Sequence, residues 1–159
     1  MWLPEGMLRE CIVEADRHAP LETGGTFMGY WIGTSAVVVT CLVGAGPGAE
    51  RGVRHFAPDQ DWQVAEIARC YERSGRMNTY VGDWHSHPGA QDGELSRKDR
   101  RVLRRIVETP AARAPRPAMA VLHGSGAEGR TMTVWFAEAK ARPLLWPGVV
   151  IRRGALQVF

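Results

Sequence analysis

Two periodicities interleave along this chain, and their order restricts it to one class of architecture. Segments with apolar residues every three to four positions alternate with short β-branched and aromatic runs of period two. Residues 6–18 place Met7, Cys11, Ile12 and Ala15 on one helical face and stop before Pro20. Residues 26–31 and 35–43, split by Ile32-Gly33-Thr34, read as a hairpin. Residues 44–52 hold five glycines and prolines and are loop, with a short strand over 52–56. Pro58-Asp59 opens a second helix to Ser74, with Val64, Ile67, Ala68 and Tyr71 as its inward stripe and Gly75 as its stop.

The second half continues the pattern. Residues 79–87 form a strand and 88–95 a polar loop. Residues 96–108 form a third helix with Val102, Leu103, Ile106 and Val107 inward. After an Ala/Arg/Pro linker at 111–117, residues 119–123 and 131–136 read as strands around a Gly-rich turn. Residues 149–159 read as a last strand or strand pair around Gly154. The order α-β-β-β-α-β-α-β-β-β, with antiparallel hairpins, predicts an α+β or mixed α/β fold: one mixed sheet flanked by helices. With no repeat or internal boundary visible, residues 1–159 are expected to form a single domain.

Composition narrows the function classes. Hydrophobic residues make up 45% and charged residues 23%, which excludes disorder and coiled coil. The formal charge of +3 permits an acidic partner without demanding nucleic acid. Cys11, Cys41 and Cys70 are odd in number, far apart and in apolar surroundings, so free thiols and a reducing cytoplasm are expected. No signal peptide or spanning segment is expected, hence no membrane partner.

The chemistry centres on His85-Ser86-His87-Pro88. Side chains alternate along a strand, so both imidazoles share a face, with Cα atoms roughly 6–7 Å apart. That spacing lets two rings converge on one ion, though a bare His-x-His, taken alone, favours two ordinary histidines over a metal site. Ser96-Arg97-Lys98-Asp99 opens the following helix, and Asp99 can reach back to the strand end. Two imidazoles and one carboxylate leave a fourth tetrahedral position open, as a catalytic zinc requires. The same Ser-x-x-Asp also fits a plain capping box. Upstream, Glu22 precedes Thr23-Gly24-Gly25 at the entry to a strand. It reads either as a surface carboxylate beside a turn or as a general base above an acidified water.

Together, Glu22, His85-Ser86-His87-Pro88 and Ser96-x-x-Asp99 resemble the JAMM motif of the JAB/MPN metalloprotease family. Glu22-Thr23-Gly24-Gly25, Gly82-Asp83-Trp84 before the histidines, and Phe56-Ala57-Pro58-Asp59 are most similar to its prokaryotic JAB branch. The eight residues between His87 and Ser96 are one more than is usual there. The resemblance implies a cytidine-deaminase-like sheet and one Zn²⁺ held by His85, His87 and Asp99. It implies Glu22 as acid/base and Ser96 as hydrogen-bond donor to an oxyanion. It also implies cleavage of an amide or isopeptide bond after the C-terminal tail of a ubiquitin-like protein or its conjugate, the motif resembling deconjugating peptidases of bacterial antiphage operons. Sulfur-carrier processing and a catalytically silent scaffold are the alternatives.

The remaining residues read plainly. Trp84 faces away from His85 and belongs to the core. His18, His55 and His123 are lone histidines with surface or core roles. Arg97, Lys98, Arg100, Arg101, Arg104 and Arg105 make the third helix cationic, a solvated face or a dock for an acidic protein. No Gly-x-Ser-x-Gly elbow exists, and a zinc deaminase would need His-x-Glu with Pro-Cys-x-x-Cys.

Overall fold

The computed structural model describes residues 1–114, 116–124, 129–140 and 148–159. Its elements are β1 (Trp2–Leu3), α1 (Glu5–His18), β2 (Gly24–Ile32), β3 (Ala36–Val43), β4 (Glu50–Gly52), β5 (His55–Ala57), α2 (Gln60–Arg73), β6 (Thr79–Ser86), α3 (Arg97–Glu108), β7 (Ala118–His123), β8 (Thr131–Lys140), β9 (Gly148–Gly154) and β10 (Gln157–Val158), with a 3₁₀ turn at Pro110–Ala112. Eight strands form one sheet in the order β10-β1-β3-β2-β6-β7-β8-β9. β6 runs parallel to β7 and β1 parallel to both neighbours, while the other pairs are antiparallel. The expected mixed sheet flanked by helices is what forms. Among the described residues no helix is long and apolar enough to cross a membrane.

α1 covers one face of the sheet. Its Cys11 and Ala15 pack with Phe27, Val39, Trp84, Ala120 and Leu122, all buried. The other face carries α2, through Cys70 against Met28 and Val43, and α3, through Leu103 against Met119, Val121 and Trp135. α3 holds its place mainly through that contact. Full burial of Leu103 is worth roughly 1.5–3 kcal/mol, whereas the cap at its start is worth about 1 kcal/mol. The helix is otherwise too cationic to be held by its own hydropathy.

Four expectations need correcting. Trp2–Leu3 is a strand, which two residues cannot announce; it exists because Val38 and Gln157 flank Trp2 in the sheet. The single strand expected over 52–56 is instead a hairpin of β4 and β5 that turns at Val53-Arg54. The inward face of α2 is rotated from the expected stripe. Val64 and Tyr71 are exposed, while Gln63 and Cys70 are buried. Gln63 can sit inside because its side-chain amide donates to the Gly44 carbonyl, 3.0 Å away. Val102 on α3 is likewise exposed rather than inward. The Gly-rich turn at 125–128 and part of the 111–117 linker lie outside the described residues.

β6, α3 and β7 form a strand–helix–strand crossover between parallel neighbours. The carboxyl end of β6 therefore faces the amino end of α3, the place where such units gather ligands.

Candidate metal centre

β6 delivers the two histidines. His85 is its penultimate residue, and His87 follows the strand directly, its N–H still bonded to the Leu122 carbonyl at 2.8 Å. Pro88 cannot extend the ladder, and Gly89, at φ +80°, turns the chain away. The imidazoles face each other with Nε2 atoms 2.9 Å apart. Asp99 approaches both, Oδ1 at 3.4 Å from His85 Nε2 and Oδ2 at 3.6 Å from His87 Nε2.

These separations suit a metal. Ligands bound at about 2.0–2.1 Å with tetrahedral angles stand roughly 3.3 Å from each other. The 2.9 Å between the two Nε2 atoms and the 3.4 Å from His85 Nε2 to Asp99 Oδ1 bracket that length, while the 3.6 Å approach to His87 is made by the other carboxylate oxygen. Two imidazole nitrogens aimed at one point need either a shared proton or a common cation. Among the described residues, His85, His87 and Asp99 form the only group of this kind. His123, one strand over, points its Nε2 at Thr133 Oγ1, 3.0 Å away, and stays outside the group.

The capping reading holds at the same time. Ser96 Oγ accepts from the Asp99 N–H at 3.2 Å, and Asp99 Oδ2 accepts from the Ser96 N–H at 2.8 Å. The cap fixes the Asp99 rotamer and leaves Oδ1 for an ion. Burial would push the Asp99 carboxyl up, but the two histidines hold it far below the usual carboxylate range. The hydrogen bond to Asp99 in turn pushes His87 up.

Glu22 arrives from the far side of the sheet order. β2 pairs antiparallel with β6, Gly24 opposite His85, which sets residue 22 beside the histidines. Glu22 is half-buried, and burial pushes its carboxyl up; His85, His87 and Lys98 are near enough to oppose that shift. The glycines after it are sterically required. A Cβ on Gly24 would come within 2.9 Å of the Phe56 ring, and one on Gly25 within 2.9 Å of Trp84 Nε1. All five residues singled out in the sequence thus gather at one end of the sheet.

Several supports were not legible beforehand. Thr23 and Ser86 clamp the two strands: the Thr23 N–H donates to Ser86 Oγ at 3.0 Å, and the Ser86 N–H donates to the Thr23 carbonyl at 2.7 Å. The β4–β5 hairpin lies over the site, its Gly52 carbonyl accepting from the Glu22 N–H at 2.9 Å and its Phe56 carbonyl from Lys98 Nζ at 3.4 Å. Below His85, Asp83 accepts from Tyr80 and Thr26 hydroxyls at 2.8 and 3.0 Å. Apart from Tyr80–Asp83, none of these pairs has a local spacing that a sequence pattern could reveal.

Comparison with known proteins agrees with the geometry. Residues 4–138 match the family described as prokaryotic homologs of the JAB domain. Over 149 residues the chain is 46% identical to "Probable metalloprotease y4qB" of Sinorhizobium fredii (strain NBRC 101917 / NGR234), covering 94% of this chain and 90% of that protein. The solution structure of protein DSY2949 from Desulfitobacterium hafniense superposes with a TM-score of 0.70 at 15% identity, over 99% of this chain and 92% of that one. At that identity the likeness concerns the fold alone.

Proposed function

Since this chain belongs to the family of prokaryotic homologs of the JAB domain, we propose that it is a zinc-dependent peptidase or isopeptidase. Its bond would be the amide or isopeptide that follows the C-terminal tail of a ubiquitin-like protein or its conjugate. The observation that carries the metal-dependent part is the convergence of one ligand atom each from His85, His87 and Asp99 to within 4.8 Å of one another. Two imidazoles with one carboxylate and an open position suit zinc better than a hard cation.

A zinc ion held there supplies a Lewis acid that polarises a carbonyl and acidifies water. The chain's own residues do the rest. Glu22, raised by burial, takes the proton of the attacking water and passes it to the leaving amine. Ser96 offers its hydroxyl proton to the developing oxyanion while its oxygen still caps α3. The β4–β5 hairpin beside Glu22 presents a strand edge with which an extended tail can pair, and this supports a tail-like substrate.

The test combines metal analysis with hydrolysis. Gently purified protein should carry about one zinc per chain. It should release a fluorogenic amine from the C-terminus of a ubiquitin-like protein, stop on chelation and recover with zinc. A metal-free, inert protein would instead favour a binding scaffold.

Ser96→Ala separates that residue's two tasks. Lost capping should lower the melting temperature by an amount reflecting about 1 kcal/mol. The catalytic rate should fall further than that instability explains, because the oxyanion contact exists chiefly in the transition state. A variant that melts earlier yet turns over normally would leave Ser96 as a cap only.

A further inference from the structure

The segment carrying Glu22 is held from behind by side chains that the proposed chemistry does not use. Arg51, on β4, runs beneath it with only 17% of its side chain exposed. Its Nε donates to Thr23 Oγ1 at 3.1 Å and its Nη2 to Glu14 Oε1 at 3.4 Å, while Nη1 reaches the Ala49 carbonyl at 3.4 Å. Thr23 Oγ1, fully buried, donates in turn to Glu14 Oε1 at 3.3 Å. Arg51, Thr23 and Glu14 thus close a ring that joins the hairpin, the Glu22 segment and α1. Glu14 is further held by His18 at 3.1 Å and Arg17 at 3.2 Å.

The backbone around Glu22 is pinned by α1, by the hairpin and by β6. The Leu21 N–H donates to the His18 carbonyl of α1 at 2.8 Å, the Glu22 N–H to Gly52 of the hairpin, and Thr23 exchanges two bonds with Ser86 between the histidines. Glu22 itself makes no side-chain hydrogen bond among the described residues, so its aim depends on this backbone frame.

We propose that Arg51 is a positioning residue: by tying Thr23 to Glu14, it holds the Glu22 carboxylate at the metal centre without touching metal or substrate. A planar guanidinium suits the task because its rigid fork spreads donors toward three acceptors in fixed directions, whereas a lysine gathers its three donors on one point at the end of a flexible stem. The catalytic half of this inference rests on the peptidase reading above; the structural half does not.

Amide hydrogen exchange of the zinc-loaded protein tests it, comparing Arg51→Met, Arg51→Lys and the control Arg69→Met, whose ion pair with Glu66 lies on the exposed side of α2. In Arg51→Met the Glu22 and Thr23 amides should exchange about tenfold faster or more through local opening. Those of Phe27 and Val121 should not change, and zinc content should stay the same. Arg51→Lys should fall between, and Arg69→Met should match the wild type. On the fluorogenic substrate, kcat should drop in the same order with KM nearly constant. Unchanged exchange at Glu22 and Thr23 would overturn the proposal, and so would acceleration spread evenly over the chain, which marks a general stabiliser. Faster local exchange with undiminished kcat would also overturn it. A wild type that fails to hydrolyse the substrate would count against the peptidase reading, and the exchange pattern would still decide whether Arg51 holds the Glu22 segment.

Discussion

Alanine in place of either His85 or His87 is expected to remove the metal and abolish hydrolysis together. Each ring supplies one of three converging atoms, and Asp99 with a single remaining imidazole is a poor zinc site. The loss should be visible by emission spectroscopy as a protein with little or no zinc, and as turnover at background. The fold should survive, because the strand is held by backbone bonds to β2 and β7 that the substitutions leave intact. Either variant retaining full zinc would sink the ligand assignment.

Glu22→Gln should give the opposite pairing: full zinc with turnover lost. The carboxylate is no member of the three-atom group and is needed only to move protons. Glutamine keeps its size and half-buried setting but cannot accept and return a proton. Removal of a positioned general base costs on the order of a hundredfold or more in rate. The contrast with the histidine variants is the informative part, since metal content separates a proton carrier from a ligand. A glutamine variant that cleaves at the wild-type rate would reduce Glu22 to a turn residue.

Much of the site was legible from spacing because its parts are local. His85 and His87 share a face by strand alternation, and Ser96 and Asp99 mark a helix start by a capping pattern four residues long. Both rules rest on interactions within one or two turns of backbone. The two readings of Ser96-x-x-Asp99, cap and ligand, prove compatible because the carboxylate has two oxygens and the cap uses one. Where side-chain periodicity was the guide, it erred whenever a polar group found a buried partner. Gln63 displaced Val64 from the inward face of α2 through its bond to the Gly44 carbonyl.

By itself, then, the chain determined the order of its three helices and its longer strands, the shared face of His85 and His87 at the end of β6 and the capped start of α3, since each follows from the geometry of adjacent residues. Only the tertiary structure decided that Glu22 stands beside His85, through the β2–β6 pairing. It alone made Trp2–Leu3 a strand, folded residues 50–57 into a hairpin over the site, and ran Arg51 beneath Thr23 to Glu14. These are contacts between segments tens of residues apart. They are selected by burial and by the satisfaction of polar groups once the sheet has closed on its helices, and local periodicity carries no record of them.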